Sequence, residues 1–109
     1  MAPRDSLGEF EQFVLIAILR LRNSAYGVLI RDEIIEQTGR NVATGAVYTT
    51  LERLEQKGYV KSRSGEATPE RGGKAKRYFD LTGTGRKALY DARHAHDSMW
   101  RGLEAAGVR

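Results

Sequence analysis

"TGAVYTTLERLEQKGYV", Thr44–Val60, reads as a helix whose back is apolar, with Val47, Leu51 and Leu54 at i, i+4 and i+7. Its front opens with Gly45, Tyr48 and Thr49, where a solvated face ordinarily carries Glu and Lys. A large aromatic at the head of an exposed face is costly without a partner. Thr44 is a suitable N-cap, its hydroxyl able to accept from the free N–H groups of the first turn, and Lys57 with Gly58 supplies a C-terminal cation and a left-handed stop.

Upstream, "AYGVLIRDEIIEQTG" (Ala25–Gly39) stacks Tyr26, Ile30 and Ile34 at i, i+4 and i+8, with Ser24 placed to cap the start and Gly39 the end. Before it, Leu7, Phe10, Val14, Ala17, Ile18 and Leu21 predict a helix over Leu7–Arg22. Phe13, Ile16 and Leu19 give that helix a second apolar face, which needs cover from outside a chain of this size. Downstream the period changes to two, in "YVKSRS" (Tyr59–Ser64) and "AKRYFDL" (Ala75–Leu81), predicting a hairpin around the loop Gly65–Ala75. From about Thr84 the chain is helical again. There Leu89, Ala92, His96, Met99 and Leu103 recur in steps of three and four, as in a coiled-coil seam. Phe10, Phe13 and this seam are the candidate dimerisation residues.

The chain has 109 residues, enough for one domain with a real core. Its net charge of +4 is uneven. Lys57–Arg77 holds seven basic residues (Lys57, Lys61, Arg63, Arg71, Lys74, Lys76, Arg77) against Glu66 and Glu70, a net +5 that leaves −1 for the rest. Positive charge gathered on one hairpin is the footprint expected of a site for a polyanion. There is no cysteine, which excludes disulfides, thiolate metal sites and thiol nucleophiles and leans towards the cytosol. "MAPRDSLGEF" has no apolar signal core, and the run Phe13–Leu19 is too short to span a bilayer, so a cytoplasmic protein without membrane contact is expected.

No catalytic residues are expected. "GTGRKA" (Gly83–Ala88) lacks the spacing of a phosphate loop, and no paired carboxylate stands beside a base. No cofactor or metal is called for either: His94 and His96, two apart, point to different sides of a helix.

The order helix, helix, helix, basic hairpin, long helix is that of a mainly α fold with a small β-hairpin, a winged helix-turn-helix followed by a C-terminal dimerisation helix. The division falls at residues 1–82 and 83–109 of one compact unit. In that architecture the third helix enters the major groove of double-stranded DNA and the hairpin lies along the backbone. Thr44, Gly45, Tyr48, Thr49 and Arg53 are then the candidate contacts of the helix, and Arg63, Arg71, Lys74, Lys76 and Arg77 those of the wing. No Arg, Asn or Gln stands in the helix's first turn for bidentate base readout, so shape and water-mediated contacts gain weight. The rival reading is a winged-helix module whose basic hairpin binds an acidic partner protein. RNA binding has less support, since flat stacking platforms are absent.

These residues resemble the PadR-type transcriptional regulators, through "AYG" (Ala25–Gly27), "GAVYTTLERLEQKGYV" (Gly45–Val60) and "GGKAKRYFDLTGTG" (Gly72–Gly85), in the right order over most of the chain. The joint pattern of Val47-Tyr48, Leu51, Arg53-Leu54-Glu55, Gly58, Tyr78-Phe79, Leu81-Thr82 and Gly85 carries the likeness. It departs at Thr49, where proline is frequent, and at the wing tip "ERGGKAK", which lacks a proline turn. The resemblance implies a homodimer, usually a repressor, joined through its C-terminal helix; a two-fold dimer is expected to bind an inverted-repeat operator. It also implies that a short member can hold a flat, lipophilic small-molecule effector between subunits. Trp100, Met99 and His96 are the candidate effector residues, with Phe10 and Phe13 completing the wall; the plainer reading of Trp100 is an interface anchor.

Overall fold

The first helix, α1 (Glu9–Leu21), turns Val14, Leu15, Ala17 and Ile18 into the interior and places Glu9 and Glu11 at its positive end. It starts two residues later than the periodicity predicts, because Gly8 takes the N-cap and its N–H donates to Glu11 Oε1 at 2.9 Å. This computed structural model describes residues 6–67 and 75–103, the side chains of residues 66, 67 and 75 excepted.

After a single 3-10 turn (Arg22–Ser24) comes α2 (Gly27–Thr38), which buries Ile30 and Ile34 against α1. Its N-cap is Tyr26 and not the expected Ser24. The physical reason is tertiary: the Phe79 N–H donates to the Ala25 carbonyl at 2.8 Å and Tyr26 bridges Tyr78, holding this segment extended until Gly27. Gly39 ends α2 at φ 74°, as expected of a left-handed stop. Arg31 Nε then donates to the Val42 carbonyl at 2.8 Å, which fixes the loop into α3 (Thr44–Gln56).

Val47, Thr50, Leu51 and Leu54 of α3 are buried. Its N-cap is Ala43 with no side-chain cap bond, so Thr44 is the first helical residue and not the cap it was expected to be. Gly58 stops the helix at φ 79°. Strands β1 (Val60–Ala67) and β2 (Ala75–Leu81) pair antiparallel, with Val60 opposite Leu81, Ser62 opposite Phe79 and Arg63 opposite Tyr78. Val60, Phe79 and Leu81 lie on the face turned to the core.

The last helix, α4 (Gly83–Trp100), is capped by Thr82, whose Oγ1 accepts from the Gly85 N–H at 3.0 Å and donates to the Gly58 carbonyl at 2.6 Å. Leu89 is buried in the chain's own core, and residues 93–100 are all exposed. Leu103, expected as the last seam position, falls in a turn beyond the helix end. The whole is a winged helix-turn-helix, mainly helical with one two-stranded hairpin. Among the described residues no helix is long and apolar enough to cross a membrane.

Candidate nucleic-acid interface

The exposed face of α3 carries Thr44, Gly45, Tyr48, Thr49, Glu52 and Arg53. Tyr48 is 40 % exposed. The phenolic end of its ring lies against the first turn of α2, at the buried Gly27. The helix is thus held on two others by its apolar back, and its head is free of carboxylates until Glu52.

Beside it stands the hairpin, whose charges divide between two faces by strand alternation. Arg77 shares the inner face with Phe79 and reaches α3, where its Nη2 donates to Glu55 Oε1 at 2.6 Å; the Ser62 hydroxyl donates to Glu55 Oε2 at 3.0 Å. Glu55 therefore ties both strands to α3. Lys61, Arg63, Lys76, Tyr78 and Asp80 lie on the opposite face. There Arg63 Nε donates to Asp80 Oδ2 at 3.1 Å, its Nη2 donates to the Asn23 carbonyl at 3.2 Å, and its guanidinium sits 5.0 Å from the Tyr78 ring centre. Lys76 Nζ lies 4.6 Å from the centre of the Tyr26 ring. Among the described residues Lys61, Lys76 and Arg53 have no carboxylate within ion-pair distance. Arg71 and Lys74, both expected at the wing tip, lie outside the described residues.

At the other end of α3, Lys57 Nζ donates to Glu11 Oε2 at 3.0 Å and to Oε1 at 3.3 Å. Glu11 is only 8 % exposed. Burial pushes its carboxyl up, but the Gly8 N–H and the Lys57 ammonium outweigh that and hold it below the ordinary carboxylate value. This pair locks the C-terminus of α3 to α1. The pairings of Glu11 with Lys57 and of Glu55 with Arg77 are not legible in sequence, because the partners lie 46 and 22 residues apart along the chain.

A second feature is an open groove of about 620 Å³ between the start of α1 and α4. His96, Met99 and Trp100 line it with Leu7, Tyr59 and Ala92. The three candidate effector residues are thus brought together, with the His96 and Trp100 rings 6.4 Å apart. Phe10 and Phe13 do not line this groove; Leu7 and Gln12 take that place, and Phe13 turns towards α2, with the Arg40 guanidinium 5.0 Å from its ring centre. Among the described residues no group of three or more His, Asp or Glu side chains gathers to hold a metal.

A family model described as the transcriptional regulator PadR-like family matches residues 15–91, which span α1 to the middle of α4. Among solved structures, a PadR-like transcriptional regulator from Bacillus cereus superposes with a TM-score of 0.72 at 15% identity, covering 89% of each chain. A PadR family transcription regulator from Clostridium difficile does so at 0.59 and 22% identity, over 89% of this chain and 93% of that one. The complex structure of hsRosR-S4 gives 0.69 at 26% identity, over 91% of this chain and 77% of that one. No curated protein matches the sequence at significance.

Proposed function

The chain belongs to the PadR-like family of transcriptional regulators, and from that premise we propose that it acts as a homodimeric repressor on an inverted-repeat operator. Membership makes it a DNA-binding transcriptional regulator and not an enzyme. The observation that carries the reading is the head of α3: an exposed Tyr48 flanked by Thr44, Gly45 and Thr49, with a basic hairpin clamped beside it through Glu55. Thr44 and Thr49 offer hydroxyls, Gly45 allows close approach of the backbone, and Tyr48 offers the exposed part of its ring to base edges. Arg53, Lys61 and Lys76, without a carboxylate partner among the described residues, would meet phosphates, and the charge of Arg71 and Lys74 suits the same partner.

Residues 83–109 serve as the dimerisation segment of the same compact unit. The exposed end of α4 supports this, since Met99 is 80 % and Trp100 46 % exposed on one protomer. A flat lipophilic effector bound in the groove beside Trp100 would alter the spacing of the two α3 helices and release the operator. The site of action is the cytoplasm.

The test is fluorescence anisotropy with two labelled duplexes, one enriched from a randomised pool by the protein itself and one of scrambled sequence, at several salt concentrations. Preference for the enriched duplex with a steep salt slope is the expected result. Weak, equal binding to both would overturn the reading in favour of an acidic protein partner for the hairpin.

A further inference from the structure

Gly27 opens α2 with ordinary helical backbone geometry, so the conformation there does not require glycine. Alanine forms helix more readily than glycine, so helix propensity does not call for glycine there either. What excludes a side chain is Tyr48: a Cβ on Gly27 would overlap the Cζ, Oη and Cε1 atoms of that ring. The phenolic end of Tyr48 is therefore seated directly on the backbone of the first turn of α2. The seat is itself held from behind, by the Phe79 N–H to Ala25 carbonyl bond of 2.8 Å and the Tyr26–Tyr78 bridge, so the base of the wing supports it.

An exposed tyrosine on a free helix face samples several staggered positions about χ1. A ring whose phenolic end is seated against backbone is held near one of them, and preorganised contacts cost less ordering when a partner arrives. We propose that Gly27, which touches no DNA in this arrangement, is a positioning residue that determines sequence preference by seating Tyr48. The proposal rests on the DNA reading of α3. It also makes the short "AYG" stretch part of the readout apparatus, through a contact between two helices and not through a contact with the duplex.

The experiment is a double-mutant cycle of Gly27→Ala and Tyr48→Ala, read by anisotropy on the pool-enriched and scrambled duplexes and by thermal unfolding. Gly27→Ala is expected to lower the enriched-to-scrambled affinity ratio roughly tenfold, with scrambled affinity changed less than about twofold. Tyr48→Ala lowers the ratio by a similar factor, and the double variant is no worse than Tyr48→Ala alone. Gly27→Ala lowers the melting temperature when Tyr48 is present and not when it is absent. A preserved ratio in Gly27→Ala, or losses that multiply in the double variant, overturns the proposal. If Gly27→Ala does not fold, the double variant decides: one that folds like Tyr48→Ala supports the seat, and one that also fails shows that Gly27 serves the fold itself. A wild type that enriches no sequence overturns the DNA reading instead, a separate result, and the unfolding cycle still tests the seat.

Discussion

Glu11 would favour its protonated form if burial acted alone, yet it stays charged because the Gly8 N–H and the Lys57 ammonium bond it, with Arg53 adding a smaller attraction. Its folded value lies below the unfolded one, so the unfolded chain takes the proton more readily. The stabilisation is complete above the ordinary carboxylate value of about 4.3 and is lost as the pH falls through the lower, folded value. Glu11→Gln should therefore cost about 1–3 kcal/mol at neutral pH. That deficit should narrow as chemical denaturation is repeated below about pH 4. An equal deficit at both pH values would show that shape, not charge, matters at this position. Phe79, buried to 1 % exposure where β2 meets the helices, sets the scale of an uncharged loss: Phe79→Ala should cost about 3–5 kcal/mol, read by the same denaturation.

A hairpin's charge is legible in sequence, but its use depends on which side of the ribbon each cation takes. In sequence Lys76 and Arg77 are grouped as wing contacts, whereas the register sets Arg77 on the face of Phe79 and Lys61 and Lys76 on the other. What sequence does not show is that Glu55, 22 residues away, accepts from Arg77, because that pairing exists only once α3 and the hairpin have packed. Helix bodies were likewise readable from apolar spacing, whereas three of their starts were not, that of α1 lying at Glu9 and not at Leu7. Ser24 and Thr44 have the chemistry of caps, but the backbone bond from Phe79 to Ala25 moves the start of α2 to Gly27, and α3 begins one residue before a Thr44 cap would allow. Arg77→Ala should accordingly act on the clamp, lowering stability by about 0.2–1 kcal/mol for a pair this exposed. Lys61→Ala combined with Lys76→Ala should leave the melting temperature nearly unchanged, weaken every duplex alike, and reduce the salt slope by about two. Anisotropy over a salt series distinguishes them, and an unchanged slope in the double lysine variant would place the phosphates elsewhere.

At the scale of the molecule, the described residues extend 56 Å along one axis and only 21 Å along the shortest, because α4 leaves the core after Leu89. A helix of this length is stabilised mainly by tertiary packing, yet residues 93–100 are all exposed among the described residues. The same region exposes Met99 and Trp100 beside an apolar groove whose floor is Leu7, Ala88 and Ala92. A second copy related by a two-fold axis would cover this surface isologously and set two α3 helices to face half-sites about one or two helical turns apart. Met99→Glu separates assembly from folding, because a side chain 80 % exposed in the protomer can take a charge without disturbing the core. The variant should melt as a folded protein and sediment as a monomer at concentrations where the wild type is a dimer. It should bind an isolated half-site as the wild type does and lose most of its affinity for the paired site, since the advantage of two linked half-sites comes from effective concentration and vanishes with the link. A Met99→Glu protein that remains dimeric would move the interface to the outer face of α1, where Ile16 and Phe13 lie.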